Sequence, residues 1–244
     1  KQLKKNNRIK VVTIDDPEDK RLESDLAFYP PSPQLKKITW GGFSGKLLVG
    51  WEYVLLRDEF NKSYPKLNNR ILNILVSMGG TDVKNLTSFV LEALNELDEK
   101  FQVSIIVGSG YPYIENLKKE LAVVEYKYEL FIESDDIAEI MSKSDVAIIS
   151  FGMTAYELTA LNIPAVYLCL SDDHKESSNL FNNEGVGKTI GKYSEIKKGI
   201  FIAMLASLLS NHTKLSTMSK KANSIRVCNM HKISIHIMEK TVYE

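Results

Sequence analysis

The stretch Ile71-Leu72-Asn73-Ile74-Leu75-Val76-Ser77-Met78-Gly79-Gly80-Thr81-Asp82 decides the fold of this 244-residue chain. Its first eight residues are apolar almost throughout, which predicts a strand that is buried on both faces of a sheet. Two glycines follow, and the segment 82–97 then places apolar residues on one stripe at helical spacing. A buried strand that leads through a glycine turn into a helix is typical of a parallel α/β sheet.

The same alternation of strand and helix continues toward the C-terminus. Strands are predicted at 103–107, 128–132, 145–149 and 165–170, and helices at 113–123, 135–142, 152–161 and about 174–183. Because helices separate these five strands, the connections are crossovers, and the sheet is parallel with both faces covered. The sequence therefore predicts an α/β fold with a doubly wound, Rossmann-like domain.

The region before this domain has a different composition. Residues 30–69 hold four of the seven prolines and the run Gly41-Gly42-Phe43-Ser44-Gly45, so we place a domain junction near Pro65. Upstream of this region, only 10–16 and 25–29 have the pattern of strands. Two strands cannot bury both faces of a sheet, and we expect that the chain starts inside a domain whose first strands are absent.

These features predict three parts of the chain. Residues 1–64 are expected to be a remnant of an N-terminal Rossmann-like domain plus an interdomain linker, and 65–222 a complete Rossmann-like domain. The spacing of apolar residues after 222 predicts a C-terminal helix within 223–244, packed across the junction.

Charge and composition exclude several classes of protein. The 31 Lys and Arg residues balance the 31 Asp and Glu residues, and without a long-range positive field we expect no nucleic-acid partner. No apolar run approaches the ~18 residues of a membrane span, and residues 1–8 lack the apolar core of a signal peptide, so we expect a cytoplasmic protein. Cys169 and Cys228 have no metal-ligand spacing, which predicts two reduced, buried thiols and no metal site.

Three loops follow predicted strands, which is where ligands bind in open parallel sheets. The first is 77–82, in which Gly79 and Gly80 let the backbone approach a ligand closely. The helix that follows offers free N–H groups to a phosphate. The alternative is a tight turn capped by Thr81 or Asp82, and the loop alone does not decide between the two interpretations.

The other two loops are also open to two interpretations. In the second, 150–157, Glu157 is placed to accept hydrogen bonds from a ribose diol, but it could equally complement the helix dipole. The third, 171–177, is a polar cluster around Asp173 and His174. Its spacing fits no zinc motif, and a solvated helix cap explains it as well as a ligand does.

Several motifs in this order resemble a known group of sugar-nucleotide enzymes. FIESDDI at 131–137, SFGMTAYE at 150–157 and NIPA at 162–165 have the order and spacing of the C-terminal half of the N-acetylglucosaminyl transferase of peptidoglycan synthesis. GWEYVLLRDEF at 50–60 and MGGTDVKNL at 78–86 resemble more closely the UDP-2,4-diacetamido-2,4,6-trideoxy-β-L-altropyranose hydrolase family of pseudaminic acid synthesis and its spore-coat polysaccharide relatives.

The resemblance implies a GT-B architecture, in which two doubly wound domains face a cleft and the C-terminal one holds most of the nucleotide. It implies a UDP-sugar as ligand and no cofactor. The residues that it assigns to UDP are Gly79, Gly80, Phe131, Ile132, Ser150, Gly152, Met153, Thr154 and Glu157, and those that it assigns to the sugar are Asp173 and His174.

Within this set the resemblance implies distinct roles. The backbone of Phe131 and Ile132 would edge the uracil, Glu157 would bind the ribose, and the loop 150–154 would face the diphosphate. Where this chain has Asp173 and His174, the transferase has two glutamines and the hydrolase an Asn-Gln pair. The chain therefore departs from both at the position that contacts the sugar.

The resemblance also implies that the catalytic base lies upstream of this chain. In these relatives a histidine in a glycine-rich loop after the first strand resembles a general base, and no segment before Lys10 matches it. We therefore expect the UDP-sugar-binding part of a hydrolase that releases a 2,4-diacetamido-trideoxy sugar from UDP. The alternatives are a GT-B glycosyltransferase for surface polysaccharide and a non-catalytic nucleotide-sugar-binding module, fused to or in complex with other sugar-pathway enzymes.

Overall fold

The computed structural model describes residues 9–65, 71–227, 233–235 and 237–239. The chain forms two compact units. The small unit consists of Lys1–Asn61 with Ile225–Glu244, and the large unit consists of Lys62–Ser224.

The small unit contains a three-stranded parallel sheet. Its strands lie in the order β1 (Val12–Ile14), β2 (Leu26–Tyr29) and β3 (Lys46–Val49). One face of this sheet packs against residues from the C-terminal part of the chain, since Leu26, Phe28 and Leu48 form a buried cluster with Ile233. Short 3-10 helices connect the strands, at Asp19–Glu23 and Pro33–Lys36.

The large unit is built on a six-stranded parallel sheet. Its strands are β4 (Leu72–Ser77), β5 (Phe101–Val107), β6 (Lys127–Ile132), β7 (Val146–Ser150), β8 (Ala165–Cys169) and β9 (Gly187–Lys192). Its helices are α1 (Leu86–Leu94), α2 (Ile114–Leu121), α3 (Ile137–Ser142), α4 (Met153–Ala160), α5 (Asp172–Glu184), α6 (Lys198–Leu209) and α7 (His212–Ser224).

The strand order of the large sheet is β6-β5-β4-β7-β8-β9. The chain therefore winds outward from β4 to β6, returns to the other side of β4, and winds outward again to β9. This is the doubly wound order of the Rossmann fold, in which the direction of winding reverses between the two central strands. The predicted parallel-sheet, Rossmann-like α/β fold is confirmed.

The central strand β4 agrees with its apolar sequence. Ile74, Leu75 and Val76 are fully buried, as expected of a strand with helices on both faces of its sheet. The buried Asn73 is satisfied by hydrogen bonds, because its backbone N–H donates to Asp145 Oδ2 at 2.8 Å and its Nδ2 donates to the Lys143 carbonyl at 3.0 Å. These bonds tie the start of β4 to the segment that leads into β7.

Helix α1 begins four residues later than the sequence pattern predicts. The predicted helix starts at Asp82, but Asp82 and Asn85 have φ values of 36° and 51°, which a right-handed helix does not contain. The Asp82 carboxylate instead accepts hydrogen bonds from the N–H groups of Leu86 and Thr87, each at 2.8 Å. Residues 82–85 therefore form the turn that precedes the helix.

Two strands are not predicted by the sequence pattern, β3 and β9. Both lie at the outer edge of their sheets. An edge strand is not buried on both sides and therefore needs no continuous apolar run. β9 accordingly has the sequence GKTIGK, and β3 has exposed side chains at Lys46, Leu47 and Val49.

The C-terminal region differs from the single helix expected within 223–244. α7 spans His212–Ser224, residues 225–227 are not helical, and helical geometry returns at 233–235 and 237–239. At the end of α7 the Ser224 hydroxyl donates to the Lys221 carbonyl at 2.6 Å, and such local bonds compete with continuation of a helix. Cys228 lies outside the described residues, whereas Cys169 is a buried free thiol, as expected.

Candidate functional site

The carboxyl ends of β4 and β7 meet at the point where the winding of the large sheet reverses. Ser77, at the end of β4, pairs with Ile149 of β7. The loops that leave these strands contact each other, since a Cβ atom on Gly79 would lie 3.8 Å from Ser150 Oγ. Ligands of doubly wound sheets bind in this crevice. The structure thus brings together Gly79 and Ser150, and places Gly80 and Gly152 in the loops that contain them.

The N-cap residue of helix α4 is Gly152, two residues after the end of β7. Glycine has no side chain that could cap the helix, and the first turn of α4 contains no acidic residue. The first N–H groups of a helix have no intrahelical acceptor, and together with the helix dipole they attract an anion. Met153, the first residue of α4, is 46% exposed, so solvent or a ligand reaches this end of the helix.

The N-terminus of α1, in contrast, is already occupied. The Asp82 carboxylate binds two of its N–H groups, as described above, and it is itself buried. Of the two interpretations that the sequence left open, the structure shows a cap for Asp82. The neighbouring Gly79 and Gly80 remain exposed, and a Cβ atom on Gly80 would meet nothing within 4 Å. The backbone of Gly80 is therefore accessible to a ligand.

Glu157 and Thr154 lie on the first turns of α4, close to its N-terminus. Both are partly buried. Glu157 is four residues after Met153 and hence on the same face of the helix. Its carboxylate is thus close to the end of the helix at which an anion would bind.

Phe131 and Ile132 end strand β6, at the outer edge of the sheet. Ile132 pairs with Val107 of β5 and is 46% exposed. Two interstrand spacings, about 10 Å, separate β6 from β4. The structure therefore places this pair and the loop 77–82 at the carboxyl ends of their strands, without contact between them. An extended nucleotide can span the distance.

Asp173 and His174 lie in the first turn of α5, after β8. The His174 ring is 6.1 Å from the Phe151 ring between centroids, which places it beside the loop that leaves β7. Its Nδ1 atom is buried without a hydrogen-bond partner in the described part of the chain. Ser171 Oγ accepts a hydrogen bond from the His174 N–H at 3.2 Å, so the cap that the sequence suggested here is also present.

Burial of Cys169 and ion pairing of Asp172 leave few reactive side chains at the carboxyl edge of the large sheet. Burial raises the pKa of the Cys169 thiol, which makes it a poor nucleophile. At the start of α5, Asp172 pairs with Lys192 at 3.1 Å. Within the described residues, no three His, Cys, Asp or Glu side chains come together in a group that could hold a metal ion.

Sequence reasoning missed one segment of this edge, the loop GSGYPY at 108–113 between β5 and α2. The segment packs directly against Gly80, Val83 and Asn85. Its signal was available in the two glycines that follow a buried strand, the same pattern that marked Gly79 and Gly80.

A family comparison identifies the large unit. The model of the glycosyltransferase family 28 C-terminal domain matches residues 73–232, which is more than half of the chain. The chain belongs to the family of glycosyltransferase family 28 C-terminal domains. The matched range includes all the predicted site residues of the large sheet.

Curated relatives of this glycosyltransferase family 28 C-terminal domain include three proteins of different organisms. An uncharacterized protein of Methanocaldococcus jannaschii, MJ1062, is 32% identical over 63% of this chain and 32% of its own length. The spore coat polysaccharide biosynthesis protein SpsG of Bacillus subtilis is 21% identical over 87% of this chain and 64% of its own length. The UDP-2,4-diacetamido-2,4,6-trideoxy-beta-L-altropyranose hydrolase of Campylobacter jejuni is 27% identical over 59% of this chain and 51% of its own length. The chain thus spans less than two thirds of these relatives.

Solved structures support the same fold for this family 28 domain. The crystal structure of Acinetobacter baumannii MurG matches with a TM-score of 0.67 over 93% of this chain and 66% of that protein, at 19% identity. The fold is therefore the Rossmann-like fold found in GT-B glycosyltransferases. Among the described residues, no helix combines the length and the apolar character that crossing a bilayer requires.

Proposed function

We propose that this chain binds a UDP-sugar at the carboxyl edge of the large sheet, in an enzyme of surface polysaccharide or pseudaminic acid-type synthesis. The observation that carries the proposal is the start of α4 at Gly152, at the reversal point of the sheet, where the exposed Gly79 lies beside Ser150. A diphosphate fits this position because it supplies the negative charge that the helix end attracts. Family membership supports the same ligand class, since relatives are named for UDP-sugar chemistry.

The proposal assigns the other residues by their places along the same edge. The backbone of Phe131 and Ile132 edges the uracil, and the Glu157 carboxylate accepts hydrogen bonds from the ribose hydroxyls. The sugar lies toward Asp173 and His174, since α5 begins beside the loop that leaves β7. In the neutral His174 the buried, unpartnered Nδ1 favours a proton on Nε2, which then serves as a hydrogen-bond donor to a sugar oxygen.

The chemical step that we propose is hydrolysis at the anomeric carbon, which releases a 2,4-diacetamido-trideoxy sugar and UDP. Water attacks the anomeric carbon and gives up one proton to a general base or to solvent, the bond from this carbon to the diphosphate oxygen breaks, and the electron pair leaves with UDP. The α4 N–H groups stabilise the charge of the departing diphosphate. The relative named as a hydrolase supports this reaction.

The second candidate is transfer of the sugar to an acceptor hydroxyl. The matching family is named for glycosyltransferases, and related proteins of 23–28% identity are N-acetylglucosamine transferases. The two reactions use the same UDP contacts and differ only in the attacking oxygen.

Titration of UDP into the 244-residue chain tests the proposed binding. A ligand that binds only the native state stabilises it by about 2.7 kcal/mol at a concentration of 100 Kd, so the melting temperature is expected to rise. ADP, with the same diphosphate and a purine base, is the matched control for the uracil contact. An unchanged melting temperature and unchanged amide NMR spectrum at millimolar UDP would contradict the proposal.

The variant Gly80→Val tests the same site by mutation. The position has open space, so the variant is expected to fold normally and to lose affinity because its side chain blocks close approach of the ligand.

Hydrolysis and transfer are separated with the full-length protein and the UDP-sugar alone. Release of free sugar without an acceptor supports hydrolysis, and release that requires an acceptor supports transfer.

A further inference from the structure

We infer that the loop between β5 and α2, residues 108–113, is a positioning element that holds the Gly79–Gly80 backbone in its ligand-binding place. This inference rests on the proposed function, because it assigns a role toward the same ligand. None of the residues in this loop is expected to contact the nucleotide; they act through the 79–85 loop.

The first support is a close backbone contact. Gly108 packs against Gly80, and a Cβ atom on Gly108 would overlap the Gly80 carbonyl oxygen and lie 2.7 Å from Gly80 Cα. Gly108 is not among the glycines with positive φ, so its conformation alone does not require glycine. The requirement comes from the close approach of the two loops.

The second support is a pair of hydrogen bonds to the other end of the 79–85 loop. The Tyr111 hydroxyl donates to Asn85 Oδ1 at 2.6 Å, and the Tyr113 hydroxyl donates to the Val83 carbonyl at 3.3 Å. Tyr111 is buried, and its ring packs edge-on against that of Tyr113 with centroids 5.6 Å apart. The loop 108–113 therefore contacts the 79–85 loop at three separate points.

The third support is the conformation of the 79–85 loop itself. Gly79, Asp82 and Asn85 all have positive φ, at 85°, 36° and 51°. For residues other than glycine such conformations cost free energy and persist only when the surrounding structure holds them. Tyr111 contacts this loop at Asn85, and Gly108 contacts it at Gly80.

Tyr111→Phe tests the inference without disturbing the core. The variant keeps the ring and removes only the hydroxyl that binds Asn85. Loss of one such bond is worth about 1 kcal/mol, so the loop is expected to spend less time in its binding conformation and the Kd for UDP to rise, by at most about fivefold. The amide NMR signals of Gly79 and Gly80 in the free protein are expected to shift as well.

Tyr126→Phe is the matched control. Tyr126 also carries a largely buried hydroxyl, but this one donates to the Leu91 carbonyl of α1 at 3.4 Å, away from the loop. A purely structural effect would lower the melting temperature of both variants and leave the UDP Kd unchanged. An unchanged Kd and unchanged Gly79 and Gly80 signals in Tyr111→Phe would overturn the inference.

Gly108→Ala gives a second, stronger test, with Gly199→Ala as its control because a Cβ atom on Gly199 meets open space. Gly108→Ala is expected to raise the Kd more than Tyr111→Phe does. If Gly108→Ala fails to fold, Tyr111→Phe decides. If the wild-type chain does not bind UDP, the proposed function fails, and the Gly79 and Gly80 signals of the free variants still decide whether the loop is positioned from 108–113.

Discussion

At the scale of single residues, a mutation separates the proposed role of Glu157 in ribose binding from its alternative role in complementing the helix dipole. It is partly buried on α4, one turn from the N-terminus of the helix. If its carboxylate binds the ribose, Glu157→Ala weakens UDP binding by about 1 to 3 kcal/mol, the range for hydrogen bonds to a charged group. Isothermal titration calorimetry measures this loss directly.

The control for this variant is Glu139→Ala on α3. Glu139 is an exposed helical glutamate whose carboxylate pairs with Lys143 at 2.8 Å, and its removal is expected to leave the UDP affinity unchanged. Equal affinity of Glu157→Ala and the wild type, with the fold intact, would assign Glu157 to the helix dipole instead of the ribose.

Tyr111 makes the stability of the chain depend on pH in the alkaline range. Burial raises its pKa from the ordinary 10.0 to about 12, and the charge of Asp82 acts in the same direction. Between these two values the unfolded chain loses the tyrosine proton while the folded chain keeps it, so unfolding is favoured as the pH rises. The contribution of Tyr111 to stability is complete below pH 10 and declines toward pH 12.

Urea unfolding at a series of alkaline pH values checks this prediction. Because burial also raises the pKa of Tyr29, Tyr126 and Tyr167, the wild type is compared with Tyr111→Phe. The variant is expected to lose less stability between pH 10 and pH 12. Identical pH dependence in the two proteins would contradict the assignment.

At the scale of elements, the pairing of β9 with β8 depends on a glycine. A Cβ atom on Gly187 would lie 2.5 Å from Cζ of Tyr167, whose ring is buried and packs edge-on against Phe151 and Phe181. The ring has no free space to enter, so Gly187→Ala is expected to destabilise the large unit by about 1 to 3 kcal/mol, as overpacking does. Urea unfolding followed by circular dichroism measures the loss.

Gly199→Ala on α6 is the same substitution with the opposite expected effect on stability. Its Cβ atom meets open space within a helix, where alanine is preferred over glycine, and the variant is expected to be more stable by about 0.4 to 1 kcal/mol. Equal effects of the two substitutions would show that the contact with Tyr167 is not what requires glycine in β9.

At the scale of the whole molecule, the small N-terminal sheet packs against a residue from the C-terminal part of the chain. Ile233 is 3% exposed in the small unit, where it packs with Leu26, Phe28 and Leu48. Ile233→Ala is expected to destabilise this unit by about 2 to 5 kcal/mol, the cost of a large cavity. Both tryptophans, Trp40 and Trp51, lie in the small unit, so their fluorescence reports its unfolding.

Ile200→Ala is the control, since Ile200 is 66% exposed on α6. The tryptophan transition in urea is expected to move to lower concentration for Ile233→Ala and to stay in place for Ile200→Ala. A transition that is unaffected by Ile233→Ala would mean that the C-terminal residues do not stabilise the small unit.

The strands that the sequence predicts most directly are those that are buried on both faces of the sheet. β4 and β7 are buried on both faces, and their continuous apolar runs predict them directly. β9 could not be predicted in this way, because at the edge of the sheet its two glycines and two lysines meet both protein and solvent. The start of α1 was also missed, because the left-handed residues at Asp82 and Asn85 leave no mark in hydrophobic spacing.

The sequence by itself determined the parallel α/β fold and the loops that end its strands, because periodicity and glycine placement act locally along the chain. Which of these loops meet, and which helix end a distant side chain closes, depends on the tertiary structure. Asp82 closes the N-terminus of α1, Gly79 lies beside Ser150, and 108–113 lies against Gly80. These facts depend on strand order and on contacts between residues that are distant in the chain, and local sequence patterns do not specify either.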